Sequence, residues 1–389
     1  MSTRTWDAPR LAIATIFLLD GLTFGVWVAH LPLVKGGLHL SDLAFSAALA
    51  GMVGGAFVAQ PLAGALATRY GSRQITRVAS VAACLTLGIP ALAPSLPALV
   101  ACTALLGLVR GATEVPMNAQ ATLYELRAGA PRMSTFHAAF SLGGFLGAGV
   151  AALLLRAGSG AVANLAGVGA GCALVSAVVG RHLLHDDPTA HADRPHASLG
   201  AVARDGVLLA LGVLAFCGLV GEGAMADWSA LLLERTTGAA PAAAALGYAA
   251  FSVAMTLGRA TGDALIARLG RAHTLRASGL LAAAGLGVAL VAPYAAAVTG
   301  CAVVGLGYAN LVPILFSASG RRAGGAGIAA VSTMGYFGFV VGPPVIGALS
   351  QLFGSLPLAL VVVALFALAI AAGAPVVARD GRDSTDARA

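Results

Sequence analysis

The residues able to do chemistry in this chain are a few carboxylates set inside apolar sequence. The stretch Gly221–Trp228, GEGAMADW, carries Glu222, Asp227 and Trp228 within an apolar run from about Val207 to Leu233. Glu114 and Asp20 occupy two further apolar runs. A charge at bilayer depth costs roughly 3 kcal/mol or more, so it is kept where it meets a partner or a wet cavity. Such acids mark proton relays and solute paths.

Helical spacing sorts these groups into faces. Glu222 and Asp227 are about 140° apart on a regular helix, so they cannot share one side. Glu222, the deeper, is the cavity candidate; Asp227 pairs with a neighbouring helix or lies near the outer surface. The alternative for Glu222 is a structural carboxylate bound to an adjacent helix. Gly107, Gly111, Glu114 and Asn118 form one stripe, with two glycines thinning the helix ahead of two polar groups. Arg110 lies one turn before Glu114, which reads either as an internal ion pair or as a pair that changes partner in a gate.

In the first apolar run Asp20, Phe24 and Trp27 share a stripe. His30 follows near the outer boundary, with the helix breaker Pro32 beyond. Trp27 aligns with Trp228, and either indole could stack on the apolar face of a sugar or polyol ring. Anchoring at the membrane interface explains an indole near a span end equally well. His137, Ser141, Asn310 and Tyr336 complete the expected solute contacts: Asp20, Phe24, Trp27, Asn118, His137, Ser141, Trp228, Asn310 and Tyr336. The proton-coupling candidates are Glu114, Glu222 and Asp227, with Asp20 as a further carrier. Pro343–Pro344, after Gly342, marks an expected bend and hinge.

These groups need a scaffold, and composition says which kind. Of 389 residues, 58% are hydrophobic and 10% charged, with a mean hydropathy of +0.88. Soluble domains carry about 25% charged residues. The expected fold class is all-α, a polytopic membrane protein, with 51 glycines allowing close helix approach. A net charge of +7 does not point to nucleic acid, because the arginines sit in short loops on alternate sides. Cys84, Cys102, Cys172, Cys217 and Cys301 each fall in an apolar run without CxxC spacing and read as core residues, not disulfides or metal ligands. Lys35 is the one lysine, so a Walker A phosphate loop is excluded. No cofactor is implied.

At about 20 residues per span, the sequence predicts twelve helices in two bundles of six. The N-terminal bundle covers 1–182, a hydrophilic linker 183–204, and the C-terminal bundle with its short tail 205–389. The linker holds His182, His185, His191 and His196 with Asp186, Asp187 and Asp193, a spacing that fits no tight metal site and reads as a solvated connector. Placing both termini inside leaves only Lys35, Arg156 and Arg235 outside, so the positive-inside rule gives N-in and C-in. The halves repeat: LATRYG (66–71) returns as LIARLG (265–270), offset by 199 residues. FSLGGFLG (140–147) is echoed by GYFGFVVG (335–342), and Phe17…Trp27 by Phe216…Trp228. Parallel repeats of this kind place a solute site between the halves, near mid-membrane.

LATRYGSR resembles the cytoplasmic loop signature of the major facilitator superfamily (MFS), and the similarity covers nearly all of the chain. Thr68 stands where that signature carries an acid. EGAMADWSA and ATEVPMNAQ are similar to the rhizopine-permease and fucose-permease-like subgroup. The resemblance implies twelve helices in two pseudo-symmetric bundles and proton-coupled movement of a small polar solute. By analogy with the loop signature, Arg69, Arg259 and Asp263 join Arg110 as gating residues; the alternative for the i, i+4 pair Arg259–Asp263 is a surface ion pair.

The expected function is a secondary transporter of a sugar, polyol or amino sugar, working as a monomer in the lipid bilayer. Its expected location is the bacterial inner membrane, and its partners are the solute and protons. The alternative is a proton-antiport exporter of amphipathic drugs or metabolites. An enzyme or a channel is a third class: the chain has no GxSxG, HExxH or DDxxD, and no continuous polar lining.

Overall fold

The computed structural model describes residues 7–40, 42–186, 204–239, 241–244 and 246–378, and these are helical with no strand. His191, His196, Asp187 and Asp193 lie outside the described residues. The principal helices are α1 (Ala8–Gly37), α2 (Asp42–Tyr70), α3 (Ser72–Leu85), α4 (Leu96–Ala128), α5 (Met133–Arg156) and α6 (Ala161–Gly180). There follow α7 (Gly206–Thr237), α8 (Leu246–Leu269), α9 (Arg271–Val291), α10 (Tyr294–Tyr308), α11 (Leu311–Phe353) and α12 (Leu356–Gly373).

Ten stretches among the described residues are long and apolar enough to cross a membrane, and one of them, Tyr294–Phe353, runs 60 residues, length for two crossings. The helix α8, which carries Arg259, Asp263 and Arg268, falls outside that set. The expected polytopic all-α fold is therefore the one observed.

Local chemistry explains several boundaries. Asp7 caps α1 by accepting the Arg10 N–H at 2.9 Å, and Asp205 caps α7 by accepting those of Val207 and Leu208 at 2.9 and 3.2 Å. Helix α1 continues past Pro32 to Gly37, so that proline does not end it. Non-helical dihedrals within α11 fall at Ala323 and at Gly324 (φ 57°, ψ −141°), in the gap expected between the tenth and eleventh spans, and Pro343 and Pro344 lie inside the helix. Glycine alone adopts such a conformation at little steric cost, whereas a proline can remain in a helix that keeps its dihedrals.

The chain forms two compact units. Unit 1 comprises Met1–Arg132, Phe136–Leu199 and Ala323–Ala329; unit 2 comprises Met133–Thr135, Gly200–Arg322 and Ala330–Ala389. In unit 1, α2 and α4 approach so closely that a Cβ on Gly107 would strike the Met52 carbonyl, and one on Gly111 would press on Ala56 at 2.8 Å. The small-residue stripe thus brings two helix backbones together, as membrane packing requires.

The start of the linker is fixed rather than solvated. Asp186 accepts the backbone N–H groups of Ser72 and Arg73 at the N-terminus of α3, where the helix dipole favours an anion. Gln120 accepts the Leu184 N–H at 2.8 Å and donates to the Leu184 carbonyl at 2.9 Å and to Ser72 Oγ at 2.7 Å. Arg127 adds a bond to the His185 carbonyl at 2.7 Å.

Candidate functional site

In unit 1 the intramembrane acids come from α1 and α4. Arg110 Nη2 lies 3.1 Å from Asp20 Oδ1, each side chain being 12% exposed. Arg110 Nη1 also donates to the Asp20 carbonyl and to Thr23 Oγ1, both at 3.2 Å. Its guanidinium sits 5.1 Å from the centre of the Phe24 ring, a cation–π distance. Phe24 in turn stacks on Phe140. The ion-pair partner of Arg110 is therefore ninety residues away in the chain, across two helices.

Glu114 accepts from Gln60 Nε2 at 3.2 Å, and its backbone carbonyl accepts from Asn118 Nδ2 at 2.9 Å. Asn118, fully buried, meets His137 Nε2 at 3.2 Å through Oδ1, and His137 lies edge-on to Phe17. Ser141 donates to the His137 carbonyl. The structure thus gathers Glu114, Asn118, His137 and Ser141 into one hydrogen-bonded run on α4 and α5.

Trp27 does not join them. It is 2% exposed within an apolar cluster with Val26, Leu99, Leu106 and Leu165, so packing replaces the expected ring-stacking role. Phe24, on the same stripe, is 36% exposed, because neighbouring helices bury one edge of the stripe and leave the other open. His30 is likewise not solvated: it is fully buried, with Nδ1 2.8 Å from the Val26 carbonyl and Nε2 3.1 Å from Asn164 Nδ2.

In unit 2, Glu222 is one quarter exposed, and its Oε1 lies 3.7 Å from Arg259 Nη2, a looser pair than that of Asp20. Arg259 is buried and also donates to the Ala309 carbonyl at 3.4 Å, so the surface-pair alternative for Arg259 and Asp263 is overturned. Gly221 and Gly223 flank Glu222 on α7. A Cβ at Gly221 would strike the Tyr308 ring and hydroxyl, and one at Gly223 would press on Phe339 at 3.0 Å, so both glycines make room for aromatic rings. Asp227 is exposed, while the Trp228 ring packs towards Gly347. Tyr336 lies beside Phe339 with ring centres 5.8 Å apart.

Asp263 has a different role. Its Oδ1 accepts the Ser134 N–H and its Oδ2 the Thr135 N–H, both at 2.9 Å, and the Thr135 hydroxyl binds Oδ2 as well. These are the first residues of α5, so the carboxylate closes the open end of that helix. Asn310 lies alongside: Oδ1 accepts from Ser134 Oγ at 3.1 Å, and Nδ2 donates to the Gly258 carbonyl at 3.3 Å. Asn310 therefore joins Ser134 to the middle of α8. Arg69 is exposed, with its guanidinium 5.2 Å from the Tyr70 ring centre, and Thr68 donates to the Gly64 carbonyl.

Sequence reasoning missed Gln60 and Tyr308. Gln60, fully buried, is a polar residue just before Pro61 in an apolar helix, and that signal was available. Tyr308 is buried with no hydrogen-bond partner for its hydroxyl among the described residues, and only the fold brings it to Gly221.

The family model of the Major Facilitator Superfamily matches residues 13–343. An uncharacterized MFS-type transporter of Yersinia pestis is 33% identical over 93% of this chain and 94% of its own length. The membrane protein MosC of Rhizobium meliloti is 33% identical over 88% of this chain and 84% of its own. Among solved structures, the MFS transporter FucP in its outward conformation superposes with a TM-score of 0.79 at 17% identity, covering 94% of this chain and 97% of FucP. The proton:xylose symporter XylE superposes with a TM-score of 0.71 at 15% identity, covering 93% and 94%. With its all-helical fold, its repeated loop sequences and these relatives, the chain belongs to the Major Facilitator Superfamily.

Proposed function

We propose that this transporter couples a proton to the movement of a small polar solute of the sugar, polyol or amino-sugar class, by alternating access across a bacterial inner membrane with both termini inside. The observation that supports this most is that each unit holds an intramembrane acid against an arginine: Asp20 with Arg110, and Glu222 with Arg259. An acid that gains a proton releases its arginine, and the arginine then needs another acceptor; this ties protonation to a change in helix contacts. Glu222 is the better placed for coupling, being partly exposed and loosely paired. Glu114, held by Gln60, sits one turn from Arg110 and offers it a second acceptor.

Phe24, Asn118, His137 and Ser141 supply the polar and aromatic groups suited to a hydroxylated ring in unit 1, and Trp228 and Tyr336 do so in unit 2. Asp227, exposed, is assigned to proton entry. Arg69 and Asp263 are assigned to the gate. The structures of FucP, described as a fucose:proton symporter of E. coli, and of XylE lend the solute class and the coupling ion as analogies.

The test uses purified protein in sealed vesicles with an imposed inward proton gradient and a labelled panel of monosaccharides, polyols and amino sugars. Gradient-dependent accumulation of one of these supports the reading. No accumulation of any of them, together with gradient-driven extrusion of cationic dyes, supports the drug-export alternative.

A further inference from the structure

Unit 1 contains a small cavity behind the Asp20–Arg110 pair, with a volume of about 10 Å³, room for about one water. Its polar lining is Asp20, Thr23, Ser80, Cys84, Thr113 and Ser176. The hydrogens on these groups are mostly spent. Thr23 donates to the Asp20 carbonyl and Thr113 to the Val109 carbonyl, while Ser80 and Ser176 bond each other at 2.7 Å. One serine hydrogen of that pair is left over, and the Asp20 carboxylate and the threonine oxygens accept. A water, with two donors and two acceptors, matches that set. The adjacent guanidinium already neutralises Asp20, which disfavours a metal cation there.

A second observation lies along α3, beyond the cavity lining. Ser72, Thr76, Ser80 and Cys84 recur every four residues on its buried face, a rise of about 6 Å per step. Thr76 is fully buried, and its hydroxyl has no hydrogen-bond partner among the described residues. A buried hydroxyl left so is unfavourable, and a water on either side of it removes that cost. At the end of the row, Ser72 meets Gln120, and the Ser72 N–H donates to Asp186.

Resting on the proton-coupled reading above, we propose that Asp20 exchanges its proton through unit 1, by way of a cavity water, the Ser80–Ser176 pair, Thr76 and Ser72, to Asp186 at the N-terminus of α3. In the transfer, which starts from the protonated Asp20 that has released Arg110, the Asp20 O–H bond breaks. Each water or hydroxyl along the row accepts one proton and passes on another, and a water beside Ser72 Oγ delivers the last to the Asp186 carboxylate, which the Ser72 N–H holds in place. No group is oxidised or reduced. The charged or titratable groups around Asp20 are Arg110 on α4, Cys84 on α3 and Cys172 on α6, with His137 on α5 beside Phe17. Arg73, Arg127, Arg181 and His182 surround the Asp186 end.

The experiment is infrared spectroscopy of the full chain in lipid vesicles, following hydrogen–deuterium exchange of the carboxylic acid band that Asp20→Asn removes. Thr76→Val keeps the side-chain shape and removes the hydroxyl; its exchange should slow by about tenfold or more. Thr76→Ser should restore the rate, and Thr122→Val, at another buried threonine on α4, should leave it unchanged. Exchange in folded Thr76→Val at the unaltered rate overturns the route while leaving proton coupling intact. If Asp20→Asn removes no band at any pH between about 4 and 10, Asp20 carries no proton and both the route and its assignment as a carrier fail.

Discussion

Arg110 Nη2 stands 3.1 Å from Asp20 Oδ1, and the neighbouring Nη1 reaches the Asp20 backbone carbonyl at 3.2 Å, so one guanidinium grips both the side chain and the main chain of the same residue. A pair seated this way cannot lose one member without leaving an uncompensated charge among apolar helices. That relationship sets the first prediction.

Arg110→Gln should destabilise the protein by about 3–5 kcal/mol, because Asp20 is left buried and unpaired. Asp20→Asn added to Arg110→Gln should recover a large part of that loss. Thermal denaturation in detergent, followed by tryptophan fluorescence, measures both; a double variant no more stable than Arg110→Gln would refute the pairing energetics.

Asp263→Ala removes the acceptor of two backbone N–H groups and a hydroxyl at the start of α5. The expected cost is about 1–3 kcal/mol for the buried donors left unsatisfied. Asp263→Asn, which keeps one acceptor oxygen, should fall between the wild type and Asp263→Ala in the same melting experiment.

Asp205 gives a pH dependence outside the membrane spans. Burial pushes its carboxyl up, but the Arg322 guanidinium at 2.6 Å and the N–H groups of Leu208 and Val207 outweigh that and hold it below the ordinary carboxylate value. A depressed folded-state pKa means the stabilisation is fully present above the unfolded value of about 3.9 and is lost as pH falls through the lower folded one. Wild-type melting temperature should therefore drop more steeply below about pH 4 than that of Asp205→Asn. Parallel curves for the two proteins would refute the assignment.

Gly221→Val should be poorly tolerated, since the new methyl groups meet the ring and hydroxyl of Tyr308. Overpacking of this kind costs about 1–3 kcal/mol. Pairing Gly221→Val with Tyr308→Ala should relieve it, as read by the yield of monodisperse protein and its melting temperature.

Much of the scaffold was legible because bilayer thickness imposes a length on each apolar run and glycine spacing marks where helices touch. The stripe through Gly107 and Gly111 predicted a close approach, and α2 supplies it. The partners of the charged groups were not legible, because those pairings are tertiary. Spacing along α4 offered Glu114 to Arg110, yet the fold brings Asp20 from α1. Trp27 and Phe24 share a helical stripe, but the packing of neighbouring helices buries the indole and leaves the phenyl ring at the edge. The break at Ala323–Gly324 was legible, because it falls between the tenth and eleventh apolar runs, at a cluster of glycines at 324, 325 and 327. Asp186 could not be read as a helix cap, since α3 lies more than a hundred residues before it.

The most direct test follows external pH. Wild-type protein in lightly buffered vesicles, given the solute that the uptake panel identifies, should alkalinise the medium as protons enter with it, and Glu222→Gln should abolish that signal while solute exchange between equilibrated compartments continues. Solute-dependent alkalinisation of undiminished size in Glu222→Gln would contradict the coupling role of the arginine-held acid.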